Sequence, residues 1–370
     1  MTSMDDYDEV RRMIEVVHHA CAAEDFDAAA TVLYNRVYRG PRAYSTHVLG
    51  AWETTLDTLT DFYPFRDLSL DPRLEDPPAR RWIQHETAAC LHVLGRLHLA
   101  AELGGRAAAA AIQVGDRHNA AISYHNLAES HLAAGALASC RTVANDALRL
   151  AVEAGEMEDE LVACTILGRL DDLADQHEQA AKAFARALEI AVTYTSVPLL
   201  YSLSGIRYAD HLMVGGRQEE ALSAIRSNLA FCREQGWQSD VALALAQLAT
   251  FVPMHPEAQA HVDEAVRISR TIGANETLAE TLLARVSLEL RIKALDAART
   301  DLSEVLTHVQ SAGYRLLEVE ARTMLAMVRK DQNETIDASA EAELAAQLSR
   351  ELNYERGYRR ANEILRTLRS

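Results

Sequence analysis

The sequence has 370 residues, of which 49% are hydrophobic and 25% charged, and its formal net charge is −17. This composition excludes a disordered chain, and the acidic balance argues against general binding to nucleic-acid phosphates. The start, MTSMDDYDEV, lacks the basic and apolar segments of a secretory signal, and no uncharged apolar run reaches the roughly 18 residues of a membrane span. The five cysteines form no CxxC pair, which predicts buried free thiols. We therefore expect a cytoplasmic protein that contacts neither membrane nor nucleic acid.

Residues 1–60 form an N-terminal region with one clear predicted helical hairpin, because apolar residues recur at helical spacing on both sides of a polar turn. Residues 61–80, DFYPFRDLSLDPRLEDPPAR, contain four of the eight prolines and five acidic residues. Proline ends helices, so this stretch predicts a Pro/Asp-rich loop. Two interpretations of the loop are open. It is an irregular connector, or it is a lid or a contact for a partner.

From residue 81 onward, glycines recur at a regular spacing. Gly95 and Gly135 are 40 residues apart, Gly215 lies 80 further on, and Asp175 fills the place between them. A second series runs about half a repeat behind the first: Gly115, Gly155, Gly236, Gly273 and Gly313, with Asn353 after them. Glycine or asparagine just after an apolar helical pattern is a common helix terminator. The two series therefore predict an array of helical hairpins over 81–352.

Four segments align without gaps, each followed by a second amphipathic helix: 82–95, 122–135, 162–175 and 202–215. Their packing positions resemble those of tetratricopeptide repeats, namely Leu167, Gly168, Ala180, Phe184 and Ala187 in one repeat and Tyr124, Leu127, Ala128, Ala144 and Ala147 in the one before. The resemblance implies an all-α fold, a right-handed α-solenoid of helical hairpins with a C-terminal capping helix at 353–370. The repeats are longer than the family's roughly 34 residues and mostly lack its final proline. Long repeats of this kind resemble kinesin light chains, the maltose-regulator sensing domain and the sensor arms of STAND-class NTPases.

By the same resemblance, the first helix of each repeat faces a concave groove. The groove positions of the early repeats hold a mixed, ionisable set of side chains: Trp82, His85, His92, His125, Glu129, Thr165, Arg169 and Asp172. Histidine changes charge near neutral pH, and apolar residues would be expected if this face only packed against itself. Three interpretations are open. The face is a ligand or peptide site, a merely solvated surface, or a two-histidine metal site without an identifiable third ligand.

The segment HNAAISYHNLAESH places three histidines between His118 and His131, but helical geometry separates them. His131 lies about 120° around the helix from His125 and occupies a packing position, as does His211 two repeats later. His125 and its counterpart His85 are expected on adjacent first helices, roughly 10 Å apart. These two are the groove candidates of the histidine set.

The sequence has no phosphate-binding loop and no HExxH, GxSxG or EF-hand motif, and it predicts no cofactor. We therefore expect a non-catalytic binding or sensing scaffold that recognises a peptide, a protein segment or a small ligand and regulates a partner effector. One alternative is an enzyme with His85 or His125 as general base, oriented by Glu129 or Asp172. Another is a structural hub or homo-oligomer that acts through its ends.

The last segment, 349–370, carries six arginines and three glutamates, so its helix is basic on an acidic protein. One interpretation is a solvated cap with intrahelical ion pairs among Glu351, Glu355 and Arg359. The other is a helix that docks on an acidic partner, including a second copy of the chain.

Overall fold

The structure is a computed structural model that describes residues 4–369. Within this range the chain forms α-helices joined by short turns, with no β-strand, and consecutive helices pack together as hairpins. The predicted all-α, right-handed solenoid is therefore confirmed. None of the described helices is long and apolar enough to cross a membrane.

The N-terminal region contains three α-helices, which are α1 (Met4–Ala22), α2 (Phe26–Val32) and α3 (Trp52–Thr60). Two π-helical segments and one 3-10 turn lie between α2 and α3: Leu33–Val37, Tyr44–Val48 and Gly40–Arg42. Buried side chains from these elements, such as Leu33, Val37 and Leu59, form one apolar core that continues into the first repeat helix.

Seven hairpins follow in the described part of the chain, and we number them 1 to 7. Their helices are α4 (Pro77–Val93) and α5 (Leu97–Gln113), α6 (Arg117–Ala133) and α7 (Leu137–Ala154), α8 (Met157–Leu173) and α9 (His177–Tyr194), α10 (Ser202–Val214) and α11 (Gln218–Gln235), α12 (Gln238–Phe251) and α13 (Ala258–Ile272), α14 (Asn275–Arg291) and α15 (Leu295–Ala312), and α16 (Arg315–Asp331) and α17 (Thr335–Leu352). A single helix, α18 (Glu355–Arg369), ends the array. The first helix of each hairpin contacts the first helix of the next, so these helices and α18 form the inner row.

The start of α4 corrects the predicted boundary of the Pro/Asp-rich loop. Asp76 caps this helix by accepting a hydrogen bond from the Ala79 amide at 3.2 Å, and Pro77 and Pro78 are its first residues. Proline is tolerated there because the first amides of a helix have no partner within the helix. The irregular segment therefore ends before Pro77, and two of the prolines that predicted a loop begin a helix.

Left-handed residues end the first helices of all hairpins except hairpin 5 and fix the repeat register. Gly95, Gly135 and Asp175 have φ of +78°, +72° and +57°, and the next residue of this kind is Gly216 at +76°. Gly215, which the spacing predicts at this place, has φ of −75°. The fourth repeat is therefore shifted by one residue, because an irregular loop precedes α10.

The packing residues implied by the tetratricopeptide resemblance lie between the helices of one hairpin. Ala180 and Ala187 are fully buried, and Phe184 is nearly so. A β-carbon at Gly168 would lie 2.9 Å from the Phe184 ring, so a glycine is needed where α8 approaches α9. The small-against-large packing of the repeat is thus present in hairpin 3.

Hairpins five apart in the chain touch, so successive turns of the superhelix are in contact along a line that we call the seam. The seam pairs Gly50 with Ile272, Leu94 and Gly95 with Asn275 and Ala312, Gly135 with Arg315 and Leu352, and Asp175 with Arg359. Asn275 Nδ2 donates to the Leu94 carbonyl at 3.0 Å, and Arg359 donates to both carboxylate oxygens of Asp175 at 3.0 and 3.1 Å. The turns after the first helices therefore also serve as contact surfaces.

Gly95→Ala is expected to destabilise the protein more than Gly115→Ala, because only the first change adds an atom at the seam. Both residues have a left-handed φ, +78° and +75°, so both changes introduce backbone strain of about 1–2 kcal/mol. A β-carbon at Gly95 would also lie 2.8 Å from Ala312 Cβ and 3.0 Å from Tyr314 Oη, whereas no such atom lies within 4 Å of one at Gly115. We expect a further loss of about 1–3 kcal/mol in the free energy of unfolding, measured by urea denaturation. Equal losses for the two variants would contradict a closed seam.

Candidate functional site

The inner row of helices carries ionisable side chains on the inside of the superhelix, and we call this set the polar interior. It consists of His85, His92, His125, Glu129, Arg169, Arg207, Asp210, Glu276, Glu280, Glu320, Arg356 and Arg360. Every helix of the inner row except α12 contributes. Five of the eight predicted groove residues are among them, and the other three pack elsewhere.

Trp82 and Thr165 were expected in the groove but are packing residues. The Trp82 ring lies edge-on against the rings of Tyr34 and Tyr38, with centroids 5.3 and 5.0 Å away, so it joins the first repeat to the N-terminal region. Thr165 is fully buried, and its hydroxyl is 3.0 Å from the Ser204 hydroxyl on the next inner helix. Neither side chain is available to a ligand in the interior.

Asp172 is also buried rather than exposed in the groove. Its carboxylate lies 3.0 Å from His211 Nδ1 and 3.1 Å from His177 Nδ1. The His211 ring packs against Phe184 with centroids 4.9 Å apart, in agreement with the packing position predicted for that histidine. Asp172 therefore links hairpins 3 and 4 and orients a packing histidine.

Glu129 forms a two-point ion pair with Arg207 across the interior. The Arg207 guanidinium donates to both carboxylate oxygens at 2.8 and 2.5 Å, and the two residues are 78 positions apart in the chain. The side chains of Arg207 and Glu129 are only 10% and 18% exposed. Burial alone would raise the pKa of Glu129, but the charge and the hydrogen bonds of Arg207, together with the charges of His92 and His125, outweigh it and lower that pKa. The pair ties hairpin 2 to hairpin 4.

His92 connects hairpin 1 to hairpin 6. Its Nε2 lies 3.3 Å from Glu276, and its Nδ1 lies 3.3 Å from the Ser130 hydroxyl. Burial acts to lower the pKa of His92, but the hydrogen bond and the charge of Glu276 outweigh it and raise the pKa. The contact lies beside the seam, so it adds a charged link between successive turns of the superhelix.

Two arginines from different hairpins share Asp210. Arg169 of α8 donates to its carboxylate at 2.6 Å, and Arg356 of α18 donates to the same oxygen at 2.9 Å. Burial acts to raise the pKa of Asp210, but the two guanidinium groups outweigh it and lower the pKa to about 2. Two ion pairs therefore fix the position of α18. Arg356 bonds to Asp210 in the interior, and Arg359, one turn further along the helix, bonds to Asp175 at the seam.

The basic terminal helix is paired within its own chain. Glu320 accepts hydrogen bonds from Arg360 and from the Tyr354 hydroxyl, the latter at 2.5 Å. The predicted intrahelical pairs are absent among the described residues, because Glu351 accepts from Arg315 at 3.2 Å and the nearby arginines point to other helices. Homo-oligomerisation through this helix stays a prediction, but three of the six arginines that favoured an acidic partner already bond within the chain, since Arg356, Arg359 and Arg360 donate to Asp210, Asp175 and Glu320.

Two polar groups of the interior, the Nδ1 atom of His125 and the Glu280 carboxyl group, have no hydrogen-bond partner or ion pair among residues 4–369. His125 Nδ1 is buried without a partner, and burial together with the charge of His85 lowers the pKa of His125 to about 4. His85 itself contacts the Asn126 amide at 2.5 Å. Burial and the charge of Glu276, one helical turn away, raise the pKa of Glu280 to about 7. Near neutral pH the interior thus offers a neutral imidazole and a partly protonated carboxyl group.

The repeat register locates some of the interior residues that the sequence prediction missed. Glu129, Arg169 and Asp210 each stand six positions before the left-handed residue that ends their helix, so the one-residue shift of hairpin 4 hid Asp210. Glu280 and Glu320 stand 13 positions before theirs, in the place of the predicted tryptophan of hairpin 1. Arg207 and the arginines of α18 follow no such rule.

The described part of the chain contains neither a cluster of metal-ligating side chains nor a disulfide. Across residues 4–369, no group of three or more His, Cys, Asp or Glu side chains could hold a metal ion. All five cysteines are buried free thiols, and burial raises the pKa of Cys21, Cys140 and Cys232 to about 12.

In this protein the first helices of the hairpins form an inner row and the second helices pack on its outside. This arrangement is that of a tetratricopeptide-like helical repeat protein. No family model and no curated protein matches the chain. Similar solved structures include a Rap protein complexed with Competence and Sporulation Factor, with a TM-score of 0.58 and 14% identity over 99% of both chains. The Rap conjugation gene regulator of plasmid pLS20, in complex with the Phr* peptide, has a TM-score of 0.60 and 9% identity over 93% of this chain and 95% of its own. The APC/C hetero-tetramer Cut9-Hcn1 has a TM-score of 0.53 and 17% identity over 96% of this chain and 59% of that one.

Proposed function

We propose that this chain is a non-catalytic regulatory scaffold that binds a peptide in the polar interior and thereby controls a partner protein in the cytoplasm. Two observations together carry the proposal. The interior has two polar groups without partners, and the fold is similar over nearly the whole chain to Rap proteins solved in complex with Competence and Sporulation Factor or with the Phr* peptide. The narrower likenesses to kinesin light chains, the maltose regulator and STAND-class sensors stay predictions.

A peptide suits the polar interior because its backbone and termini carry hydrogen-bonding groups at short intervals. His125 Nδ1 and the Glu280 carboxyl group are free to bond with such groups, so binding there breaks no existing hydrogen bond. The neighbouring Glu129–Arg207 and His92–Glu276 pairs join hairpins that are far apart. A peptide seated among them would contact several turns of the array, and its binding would change the curvature of the superhelix or release a partner.

The enzyme alternative is less well supported by the same residues. A general base is most effective with a pKa near the working pH. Burial lowers the pKa of His125 to about 4, so it is a weak base, and Asp172 lies with His211 rather than with a groove histidine. We therefore favour the function of a binding scaffold over that of an enzyme.

A library of free hexapeptides, screened by affinity selection and mass spectrometry, tests this function. An extended hexapeptide spans about 20 Å and reaches several inner helices, which are roughly 10 Å apart. We expect a subset of hexapeptides to be retained, and we would measure the best of them by isothermal titration calorimetry. His125→Ala and Glu280→Gln should each weaken that hexapeptide at least about tenfold, since each removes a bonding group that has no partner in the free protein.

Met254→Ala is the matched control, because Met254 lies outside the polar interior and is 86% exposed. It should leave the hexapeptide affinity unchanged. The proposal fails if no hexapeptide is retained, or if the retained hexapeptides bind equally well to wild type and to the two interior variants.

A further inference from the structure

The seam covers the turns of only some hairpins. The turn between the two helices of hairpin 1 packs against the end of α15, since Gly95 lies against Ala312. The turn of hairpin 2 packs in the same way against the end of α17, since Gly135 lies against Leu352. Among residues 4–369, the turns of hairpins 4 to 7 meet no helix end like this, and a β-carbon at Gly216 of hairpin 4 would have no atom within 4 Å. We call the turns of hairpins 4 to 7 the lower edge.

Apolar side chains of the lower edge are exposed to solvent. Met254 of hairpin 5, Ile292 of hairpin 6 and Ile336 of hairpin 7 are 86%, 70% and 86% exposed. Ile292 has the register position of Leu94 in hairpin 1, one residue before the left-handed residue that follows the first helix. Leu94 lies in the seam and is only 8% exposed. The same position is therefore covered where another turn of the superhelix packs against it and exposed at the lower edge.

The ends of the second helices of hairpins 1 to 3, which we call the upper edge, also expose apolar side chains. Val114, Val152 and Tyr194 are 68%, 57% and 58% exposed. Val114 stands one residue before the left-handed glycine after its helix, as Ile272 does in hairpin 5. Ile272 packs against Gly50 in the seam and is 6% exposed. Both edges thus expose the kind of side chain that the seam buries.

We propose that a second copy of this chain continues the seam, with the upper edge of one copy packed on the lower edge of the other. In the seam, each turn meets the helix end five units further along the array, where the N-terminal region and α18 each count as one unit. Continued past α18, this spacing brings the ends of hairpins 1 to 3 of the second copy to the turns of hairpins 5 to 7 of the first. These are the hairpins that carry the exposed apolar side chains on the two edges.

Ion pairs within the chain occupy charged side chains of both edges. Lys293 of the lower edge bonds to Asp331 at 2.6 Å, and Arg117 beside the upper edge bonds to Glu153 at 3.1 Å. Burial of the apolar side chains favours association, whereas the net charge of −17 opposes it by a repulsion that salt screens. Association should therefore strengthen as salt is raised.

Sedimentation velocity of the full chain tests this inference, over a concentration series that reaches the high micromolar range. No peptide is added, because the edges lie outside the polar interior and the inference does not depend on the proposed function. The two edges are different surfaces, so each added copy leaves one edge of each kind free. We expect the average sedimentation coefficient to rise with protein concentration without a plateau at the dimer, and to rise further with salt.

Ile292→Asp on the lower edge and Val152→Asp on the upper edge should each need at least about tenfold more protein for the same degree of association, because each places a carboxylate in an apolar contact. The matched control is Leu344→Asp. Leu344 is 44% exposed in the middle of α17, away from both edges, so this variant should associate like wild type. The two edge variants keep their fold because the replaced side chains are largely exposed, and an unfolding midpoint in urea equal to that of wild type checks this.

An equimolar mixture of the two edge variants gives a sharper test, because each variant has the intact edge that the other lacks. The mixture should form dimers and no larger species, at concentrations where each variant alone is monomeric. Three outcomes would overturn the proposal. They are a wild type that stays monomeric at every protein and salt concentration, a Leu344→Asp chain that associates as weakly as the edge variants, and a mixture that associates no more than its two components.

Discussion

Arg207→Ala is expected to lower the free energy of unfolding by about 3–5 kcal/mol, because it leaves the Glu129 carboxylate in the interior without its partner. The two side chains are 10% and 18% exposed and form a two-point ion pair, so solvent cannot replace the lost arginine fully. Urea denaturation followed by circular dichroism measures the loss. Glu129→Leu combined with Arg207→Leu should recover much of it, since no charge is then left unpaired.

The matched control for this prediction is Arg217→Ala. Arg217, the residue just before α11, also forms a two-point pair, with Glu220 in the first turn of that helix, but both side chains are more than half exposed. Exposed pairs contribute about 0–1 kcal/mol, so this change should have little effect. A loss for Arg207→Ala as small as that for Arg217→Ala would contradict the enclosed position of the Glu129–Arg207 pair.

Asp210→Ala is expected to cost about 3 kcal/mol or more, because Arg169 and Arg356 would then face each other without the carboxylate that they share. Since Arg356 lies on α18, the terminal helix should loosen from the inner row. Hydrogen exchange of residues 355–369 should therefore become faster, and the unfolding midpoint in urea should fall. Asp146→Ala, which removes an exposed partner of Arg149 on one helix, should change neither quantity appreciably.

The contribution of Asp210 to the free energy of unfolding should also depend on pH. The pKa of this carboxyl group is lowered from 3.8 to about 2 in the folded protein, so its stabilising effect is present above about pH 4 and is lost as the pH falls to 2. The difference in stability between wild type and Asp210→Ala should narrow over this range. A difference that stays constant from pH 5 to about pH 2, or unchanged exchange in α18, would contradict the shared ion pair.

The fold could be predicted from the sequence because its rules are local. A left-handed residue after the first helix of every hairpin except hairpin 5, such as Gly95 or Gly135, repeats with the period of one hairpin, and buried residues follow at helical spacing. The error at Gly215 arose where an irregular loop interrupts that period. The prolines at 77 and 78 misplaced a boundary because proline both ends and begins helices.

The candidate site was predicted only in part, because its arrangement depends on contacts that are distant in the chain. Register indicated the helix face on which Glu129 and Arg169 lie, but the partner of Glu129 is 78 residues away and follows no repeat rule. The same limit applies to α18, whose arginines bond to residues 146 and 184 positions earlier. A spacing pattern indicates on which face of its helix a side chain lies. Which residue it contacts there depends on how successive turns of the superhelix pack together.

The seam changes how this array should fold and unfold. In an open repeat array each unit contacts only its neighbours, so stability is a sum of local terms and the ends fray independently. Here the Asn275–Leu94 bond joins residues 181 positions apart, and α18 bonds to hairpins 3 and 4. Hairpins 1 to 3 thus lack part of their contacts until the C-terminal half has been synthesised, and the last helix completes a single cooperative unit.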